Sequence, residues 1–481
     1  MDRRAVVAAC LLGLALAWSG APDGADAAMR KAPYLVYAGV PAEMRVLWQV
    51  TSTENCTIQW GPDISYSAGS AQTVEYGLDH QHAYTIAGLA PGALCYYRVT
   101  VGGADYPGSF RAAPPEDAIA VKFVAYGDTR SYPVDHDKVA ARILARIAAD
   151  PELQTMVLSV GDLVYNGDLE TDWDSQFFNP SYPNIKTVLA SFPYQVAIGN
   201  HEKTGAGFVK YFPYPFVAGR YWSFDYGPAH FAVVDQYTPY TAGTDQLAWL
   251  EADLAGTDKP WRFVYLHEPG WSAGGGHANN TAVQTYIQPL CEAYDVAMLF
   301  AGHNHYYARA SVNGVEHVTA GGGGAPLHTP DLGYPYVVTG TGAYSHCEIA
   351  IDGGSLSLRA VTWTDSLIDS LSISLPGAEV PPTGMTPALG PVSLGPVHPN
   401  PSGQDVTIRF ALRGAARAGL AIYATDGRKV ADLEAGDLAA GPHSASWDGL
   451  DATGGRVSPG VYFVRLEACG RALSAKLVVL N

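Results

Sequence analysis

The stretch VKFVAYGDTRSYPVDHDKVAARILARIAA, residues 121–149, decides how the centre of this chain is built. Val121 to Tyr126 is a short, mainly apolar run of the kind a buried strand makes. From Asp137 to Ala149, Val139, Ile143 and Ile147 recur at helical spacing on one face. Strand followed by helix predicts a layered α/β domain whose helices cover a sheet. The same strand signal returns at Met156 to Val160, Tyr194 to Ile198, Phe263 to Leu266 and Val296 to Phe300, and Asp245 to Leu254 predicts a further helix stopped near Gly256.

On either side the rhythm changes. Before the Pro114-Pro115 junction, MRVLWQV, CTIQWG and AYTIAGLAPGALCYYRVTV are short alternating runs broken by turns, which predicts a small antiparallel β-sandwich over 28–115. The layered domain then occupies 116–372. A Pro-rich linker follows over 373–402, and VTIRFAL, GLAIYATDG, HSASWDG, GVYFVRLE and SAKLVVL predict a second all-β sandwich over 403–481. At the start, Asp2, Arg3 and Arg4 precede an apolar run from Ala5 to Trp18 and small residues up to Ala27. That is the pattern of a cleaved signal peptide, 1–27, and implies a secreted or cell-surface protein of a bacterium. No later run is long enough to span a bilayer. Export permits disulfides, and Cys56 with Cys95 is the expected pair, both lying on strand-like runs of one small domain.

With 29 basic against 46 acidic residues the net charge is −17, a poor surface for nucleic acid, which is gripped mainly through Lys and Arg. An anionic ligand remains compatible with the chain if metal ions supply local positive charge.

Five strand-like runs each end in a polar signature: Gly127-Asp128, Gly161-Asp162 with Tyr165 three residues on, Gly199-Asn200-His201-Glu202, His267, and Gly302-His303-Asn304-His305. In an α/β sheet ligands bind outside the carboxyl ends of the strands, so these groups should converge. Glycine before the polar residue permits a tight turn and close backbone approach. The donors are carboxylate, amide, imidazole and phenol, without thiolate, which suits iron, manganese or zinc, and seven of them exceed what one four-coordinate zinc needs. Two metals sharing a carboxylate is the economical arrangement.

In this order, GD, GDxxY, GNHE, a lone His after an apolar strand, and GHxH resemble the calcineurin-like metallophosphoesterases over Val121 to Thr364, and the Tyr of GDLVY resembles the purple acid phosphatases among them. The LxPGxxxYYRV pattern ending at Val99 resembles the fibronectin type III-like module that precedes the catalytic domain in those enzymes. The order NPSG, IYATDGRKV, WDGLDATGGRVSPGVYFVRL resembles the immunoglobulin-like module of flagellar hook-capping proteins and bacterial sorting modules.

The resemblance implies a four-layer β-sandwich flanked by helices between the two small sandwiches. It implies that Asp128, Tyr165 and His305 hold a first metal, Asn200, His267 and His303 a second, and that Asp162 bridges both. The implied reaction is hydrolysis of phosphate monoesters on a small phosphorylated substrate, by in-line attack of a metal-held hydroxide, with Asp162 as part of the catalytic centre. His201 would stabilise the phosphoryl oxygens or protonate the leaving alkoxide. A phenolate from Tyr165 implies Fe(III) beside a divalent Fe, Zn or Mn; without it, two divalent ions are expected. A phosphodiesterase or nucleotide phosphohydrolase has the same metal core, and a surface-binding protein around an inactive core is the reading from another class.

The chain departs from the purple acid phosphatase pattern GDxG at Gly127-Asp128-Thr129-Arg130. Arg130 either reaches a substrate phosphate or pairs with a surface acid. His277, in WSAGGGH, is either a second substrate histidine or an exposed loop residue. Glu202 is expected to be a structural hydrogen-bond acceptor, and His317 and His328 carry no signal. The last domain implies contact with a cell surface or a secretion apparatus.

Overall fold

The computed structural model describes residues 29–375, 392–398, 402, 406–412, 415–425, 427–439, 441–468 and 471–480. The expected leader over 1–27, most of the expected linker and Cys469 lie outside the described residues. The chain divides into two compact units between 380 and 381.

The centre of the first unit is two sheets laid face to face. In one, the parallel strands Tyr194–Val196, Val157–Ser159 and Ala120–Tyr126 continue into the antiparallel strands Ser345–Asp352, Ser355–Thr362 and Leu367–Ser374. In the other, Trp222–Tyr226 pairs antiparallel with Ala229–Val233. Trp261–Tyr265, Val296–Ala301 and Val315–Ala320 follow in parallel, and Tyr307–Val312 and Val337–Thr341 complete the sheet antiparallel.

Alternation along the strands explains the layering. Phe231, Phe263 and Phe300 point to the first sheet, where Phe123 meets the first two edge-on at 5.3 and 5.6 Å. Their neighbours Ala232, Val264 and Leu299 point the other way, onto Leu250 and Leu254 of the helix Asp245–Gly256. On the far side of the first sheet the helix Pro133–Ala149 buries Val139, Ala140, Ile143 and Ile147. Each buried Phe contributes about 1.5–3 kcal/mol and each edge-on pair somewhat more, so the contact between sheets fixes their facing. The result is helix, sheet, sheet, helix.

That first helix starts four residues earlier than its apolar face predicts, because Pro133 sits in its first turn, where the missing N–H costs nothing and the fixed φ favours the helix. The parallel strands are shorter than expected, Val157–Ser159 and Tyr194–Val196, since the chain turns out of the ladder early to deliver its polar residues.

Residues 29–111 form a sandwich of a three-stranded and a four-stranded antiparallel sheet around Trp48, Ile58, Tyr97, Val99 and Phe110. Cys56 and Cys95 are both buried there and both free, correcting the expected disulfide. The ladder pairs Thr57 with Thr100 and Gly61 with Tyr96, so the place facing Cys56 is six residues from Cys95. At about 3.3 Å per residue that is roughly 20 Å, against the ~7 Å between Cα atoms that a disulfide tolerates.

This sandwich is tied to the middle domain through a buried lysine. Lys31 Nζ lies 2.6 Å from Gln49 Oε1, 2.5 Å from Glu170 Oε1 and 2.6 Å from Asp174 Oδ1. Arg30 adds a 2.8 Å bond to Asp174, and Lys210 reaches Glu170 at 2.9 Å.

The second unit is a sandwich of its own. Val392–His398, Val406–Leu412 and Gly441–Trp447 form one sheet, and Lys429–Leu438, Ala416–Ala424, Gly460–Ala468 and Arg471–Val479 the other. Ile408, Leu420, Ile422, Trp447, Val464 and Leu466 fill its core. Among the described residues no helix is long and apolar enough to cross a membrane.

Candidate metal centre

The five polar signatures meet at one rim, at the carboxyl ends of the parallel strands. Ala120–Tyr126 ends just before Asp128, Val157–Ser159 before Asp162, Tyr194–Val196 before Asn200, Trp261–Tyr265 before His267, and Val296–Ala301 before His303. The turns that deliver them are strained. Asp128, Asp162 and His303 hold φ of 55°, 54° and 66°, a left-handed region side chains rarely occupy, and such strain gathers at functional sites. Two glycines make room: a Cβ on Gly199 would stand 2.3 Å from Asp162 Oδ1, and one on Gly302 2.3 Å from Asp128 Oδ2.

Two donor groups result, each with its ligand atoms within 4.8 Å of one another: Asp128, Asp162 and His305, and Asp162, His267 and His303. Asp162 belongs to both. Asn200 Oδ1 joins the second group, 3.1 Å from His267 Nε2 and 3.1 Å from His303 Nδ1.

Hydrogen bonds behind the donors set which nitrogens face inward. His267 Nδ1 donates to the Val160 carbonyl at 2.7 Å, and His305 Nδ1 to the Pro326 carbonyl at 2.6 Å, so in each neutral ring the lone pair lies on Nε2, toward the group. This is how metal-binding imidazoles are usually oriented. Asp128 accepts the His303 N–H at 3.0 Å and Asp162 the His201 N–H at 2.9 Å.

The buried carboxylates draw positive charge to this place. Burial works against charge on His267, but Asp162 at 3.4 Å outweighs it and lifts the imidazole to about 10. Burial, reinforced by His267, pushes His303 down to about 2, and burial with His328 pushes His305 to about 3. Burial raises Asp128 well above the usual carboxylate range. Asp162 is buried too, yet the charge on His267 holds it below that range. His303 and His305 stand as neutral donors, while the charge on His267 and the guanidinium of Arg130 balance Asp162 in the place that metal cations would take. The residues therefore fit two metal ions: Asp128 and His305 would serve one, Asn200, His267 and His303 the other, and Asp162 both.

Tyr165 is not gathered with them. The residue is 57% exposed, its ring lies against His201 at 5.3 Å, and its backbone N–H and carbonyl are taken by Gln176 and His201. The place facing Asp162 and His305 is held instead by Arg130. Its Nε donates to Asp162 Oδ2 at 3.3 Å and its Nη2 to His305 Nε2 at 3.3 Å, with the guanidinium 5.9 Å from the Tyr165 ring centre. This corrects two expectations: the phenol stands outside the donor set, and the partner of Arg130 is the buried shared carboxylate rather than a surface acid.

Around the donors stand further polar side chains. His201 donates from Nδ1 to the Tyr165 carbonyl at 2.5 Å, leaving Nε2 3.9 Å from Asp162 Oδ2. His277, on an exposed loop, stacks on His303 at 3.8 Å. Glu202 is fully buried and accepts the N–H groups of Asp162, Leu163 and Gly199 at 3.0, 2.8 and 2.7 Å, holding the two turns together. His328, without a signal in the sequence, stacks on His305 at 4.1 Å and accepts its backbone N–H at 3.2 Å. The Gly321–Gly324 run passes close to that neighbourhood, a Cβ on Gly321 standing 2.9 Å from Asp128 Oδ2. His317 bonds Gln288 at 2.7 Å, buried in the second sheet.

Residues 121–307 match the sequence model of the calcineurin-like phosphoesterases, and 400–471 that of the FlgD Ig-like domain. The middle of the chain is thus a calcineurin-like metallophosphoesterase domain, and its last part an Ig-like domain. Purple acid phosphatase 18 of Arabidopsis thaliana is 28% identical over 277 residues, covering 50% of this chain and 58% of the relative. A nucleotide pyrophosphatase/phosphodiesterase of Hordeum vulgare is 25% identical over 283 residues, 48% of this chain and 76% of the relative. The chain thus spans little more than half the length of the first of these. A purple acid phosphatase from yellow lupin (Lupinus luteus) seeds shares the fold at a TM-score of 0.60 and 19% identity, covering 72% of this chain and 74% of its own. The structure of PhoD does so at 0.56 and 13%, covering 74% and 90%.

Proposed function

We propose that this protein is a binuclear metallophosphoesterase that hydrolyses small phosphate monoesters. The observation that carries the reading is the pair of donor groups sharing Asp162, set in a domain of that family. When bound, two metal ions would supply a water acidified enough to attack phosphorus and a clamp for the attacking and leaving oxygens.

The protein's own side chains orient the ester. Arg130 offers a planar, permanently charged donor beside Asp162, suited to a phosphoryl oxygen. His201, with Nδ1 committed to the Tyr165 carbonyl, presents Nε2, which carries a proton to the leaving alkoxide when the ring is charged. His277 extends the polar rim beside His303. Since the Tyr165 phenol stands apart, two divalent ions are proposed in place of an Fe(III) site.

The experiment is reconstitution. Metal-stripped protein should be inactive and should regain turnover of 4-nitrophenyl phosphate with two equivalents of zinc, manganese or iron. No turnover at full metal occupancy would leave the reading without support. Similarity to a nucleotide pyrophosphatase/phosphodiesterase favours diester or nucleotide hydrolysis as the second reading. A bis(4-nitrophenyl) phosphate rate above the monoester rate would select it.

The proposal extends to location: an exported bacterial protein, its 29–111 sandwich a fibronectin type III-like scaffold and its Ig-like domain a contact to a cell surface or secretion apparatus. Detection of the mature chain outside the cytoplasm, starting after Ala27, tests this.

A further inference from the structure

Two loops meet beside the donor groups, and three successive glycines let them interlock. A Cβ on Gly274 would lie 2.4 Å from the Tyr334 ring, one on Gly275 1.8 Å from the Thr329 carbonyl oxygen, and one on Gly276 2.0 Å from the His328 ring. Asp331 N–H closes the seam on the Ala273 carbonyl at 2.6 Å. The seam sets His277 and His328 side by side, ring centres 5.5 Å apart, over His303 and His305 respectively.

His328 is held more firmly than a packing residue needs to be. Its N–H donates to the His305 carbonyl at 3.0 Å, while the His305 N–H donates to His328 Nδ1 at 3.2 Å. A backbone N–H can only donate, so Nδ1 must be the acceptor and the ring's proton is confined to Nε2. Among the described residues none takes the Nε2–H in a hydrogen bond, although the side chain is half-buried. A donor locked in orientation and left without a partner beside a metal-fitting group is placed for a ligand oxygen.

Resting on the phosphoesterase reading, we propose that His328 is a substrate-contacting residue, its Nε2–H donating to a terminal oxygen of the phosphoryl group on the Asp128–His305 side. Arg130 and His328 then approach that group from two elements, Arg130 from the turn after the first strand of the domain and His328 from the loop interlocked with Gly274–Gly276. The contact applies to any ester that presents a terminal phosphoryl oxygen there, and to inorganic phosphate itself.

The test uses the full, metal-loaded chain and inorganic phosphate as probe, followed by calorimetry and by competition against 4-nitrophenyl phosphate. His328→Asn keeps an oxygen where Nδ1 accepts the His305 N–H but has no donor where Nε2 stands; His328→Gln keeps a donor there. His328→Asn should weaken phosphate binding and raise KM by about 10-fold or more, the size expected for one hydrogen bond to a charged group, with two metals per chain retained. His328→Gln should stay within about threefold of wild type. Wild-type phosphate affinity in His328→Asn overturns the inference, and so does a loss of phosphate binding that follows loss of metal in both variants, since the ring would then only support His305. If loaded wild-type protein neither binds phosphate nor turns over any ester, the phosphoesterase reading itself fails, a result distinct from either of these.

Discussion

Asp162 is the residue on which most depends, because it lies in both donor groups and its carboxylate also takes Arg130 and the His201 N–H. Asp162→Ala should drop metal content from two per chain toward none, and activity by more than the roughly 10–100-fold that loss of an outer partner costs; atomic absorption and turnover check it together. Tyr165→Phe should do little. Activity within about threefold of wild type, and no phenolate-to-iron band in the visible spectrum of either iron-loaded protein, are the expected outcomes. The donors were legible because each follows an apolar run, most with glycine between. Tyr165 shows where that signal stops: spacing from Asp162 puts a residue near the turn, but competition with Arg130 for the inner place is decided by packing. His328 follows no strand, and its bond to the His305 backbone joins residues 23 apart in a way no local pattern records.

Among the elements, the Gly274–Gly276 loop and its partner carry the most specific consequence. Gly275 combines φ of +78° with a Cβ that would overlap a carbonyl, so Gly275→Ala should cost about 1–3 kcal/mol and part the loops. A raised KM with unchanged metal content would register the displacement of His277 and His328. A second element-scale device lies at the far edge, where His230 on Ala229–Val233 is bonded to Asp225 on the neighbouring strand at 2.7 Å and to Asp253 on the covering helix at 2.8 Å. Burial would lower its pKa, but the two carboxylates outweigh that and lift it to about 9. A raised folded pKa stabilises fully below the unfolded value near 6.5 and is lost as pH climbs through 9. Thermal melting should therefore fall between those values, by up to about 3 kcal/mol of linked stability, and His230→Gln should flatten the dependence. The apolar run from Phe263 to Leu266 reads as strand in the sequence, whereas the strand Ala229–Val233 carries no such signal beside its turn. Which neighbour each strand would choose could not be read there, because the order of seven strands is fixed by contacts across the sandwich.

For the first unit as a whole, the decisive contact is the one between its two halves. Lys31 is fully buried among Gln49, Glu170 and Asp174, so Lys31→Met would take one of their cations from two carboxylates that keep Arg30 and Lys210 beside them. Because both carboxylates are partly exposed and still paired, the loss is that of hydrogen bonds to charged groups, about 1.5–3 kcal/mol, and a lowered denaturant midpoint is expected. Glu170 reports the same contact: burial opposes its charge, yet Lys31 and Tyr211 hold it at about 2. The β-sandwich, layered and second β-sandwich regions were distinguishable by rhythm alone, alternating runs against strand-then-helix. Their docking was not, since Lys31 sits in an unremarkable strand and its carboxylates lie some 140 residues away. Two positions past Asp174, Gln176 accepts the N–H groups of both Ser131 and Tyr165. The helical turn that receives the sandwich thus also props the loops beneath Arg130. Shortening the chain to its middle portion, the usual route to a smaller catalyst, would pull out a foundation stone along with the porch.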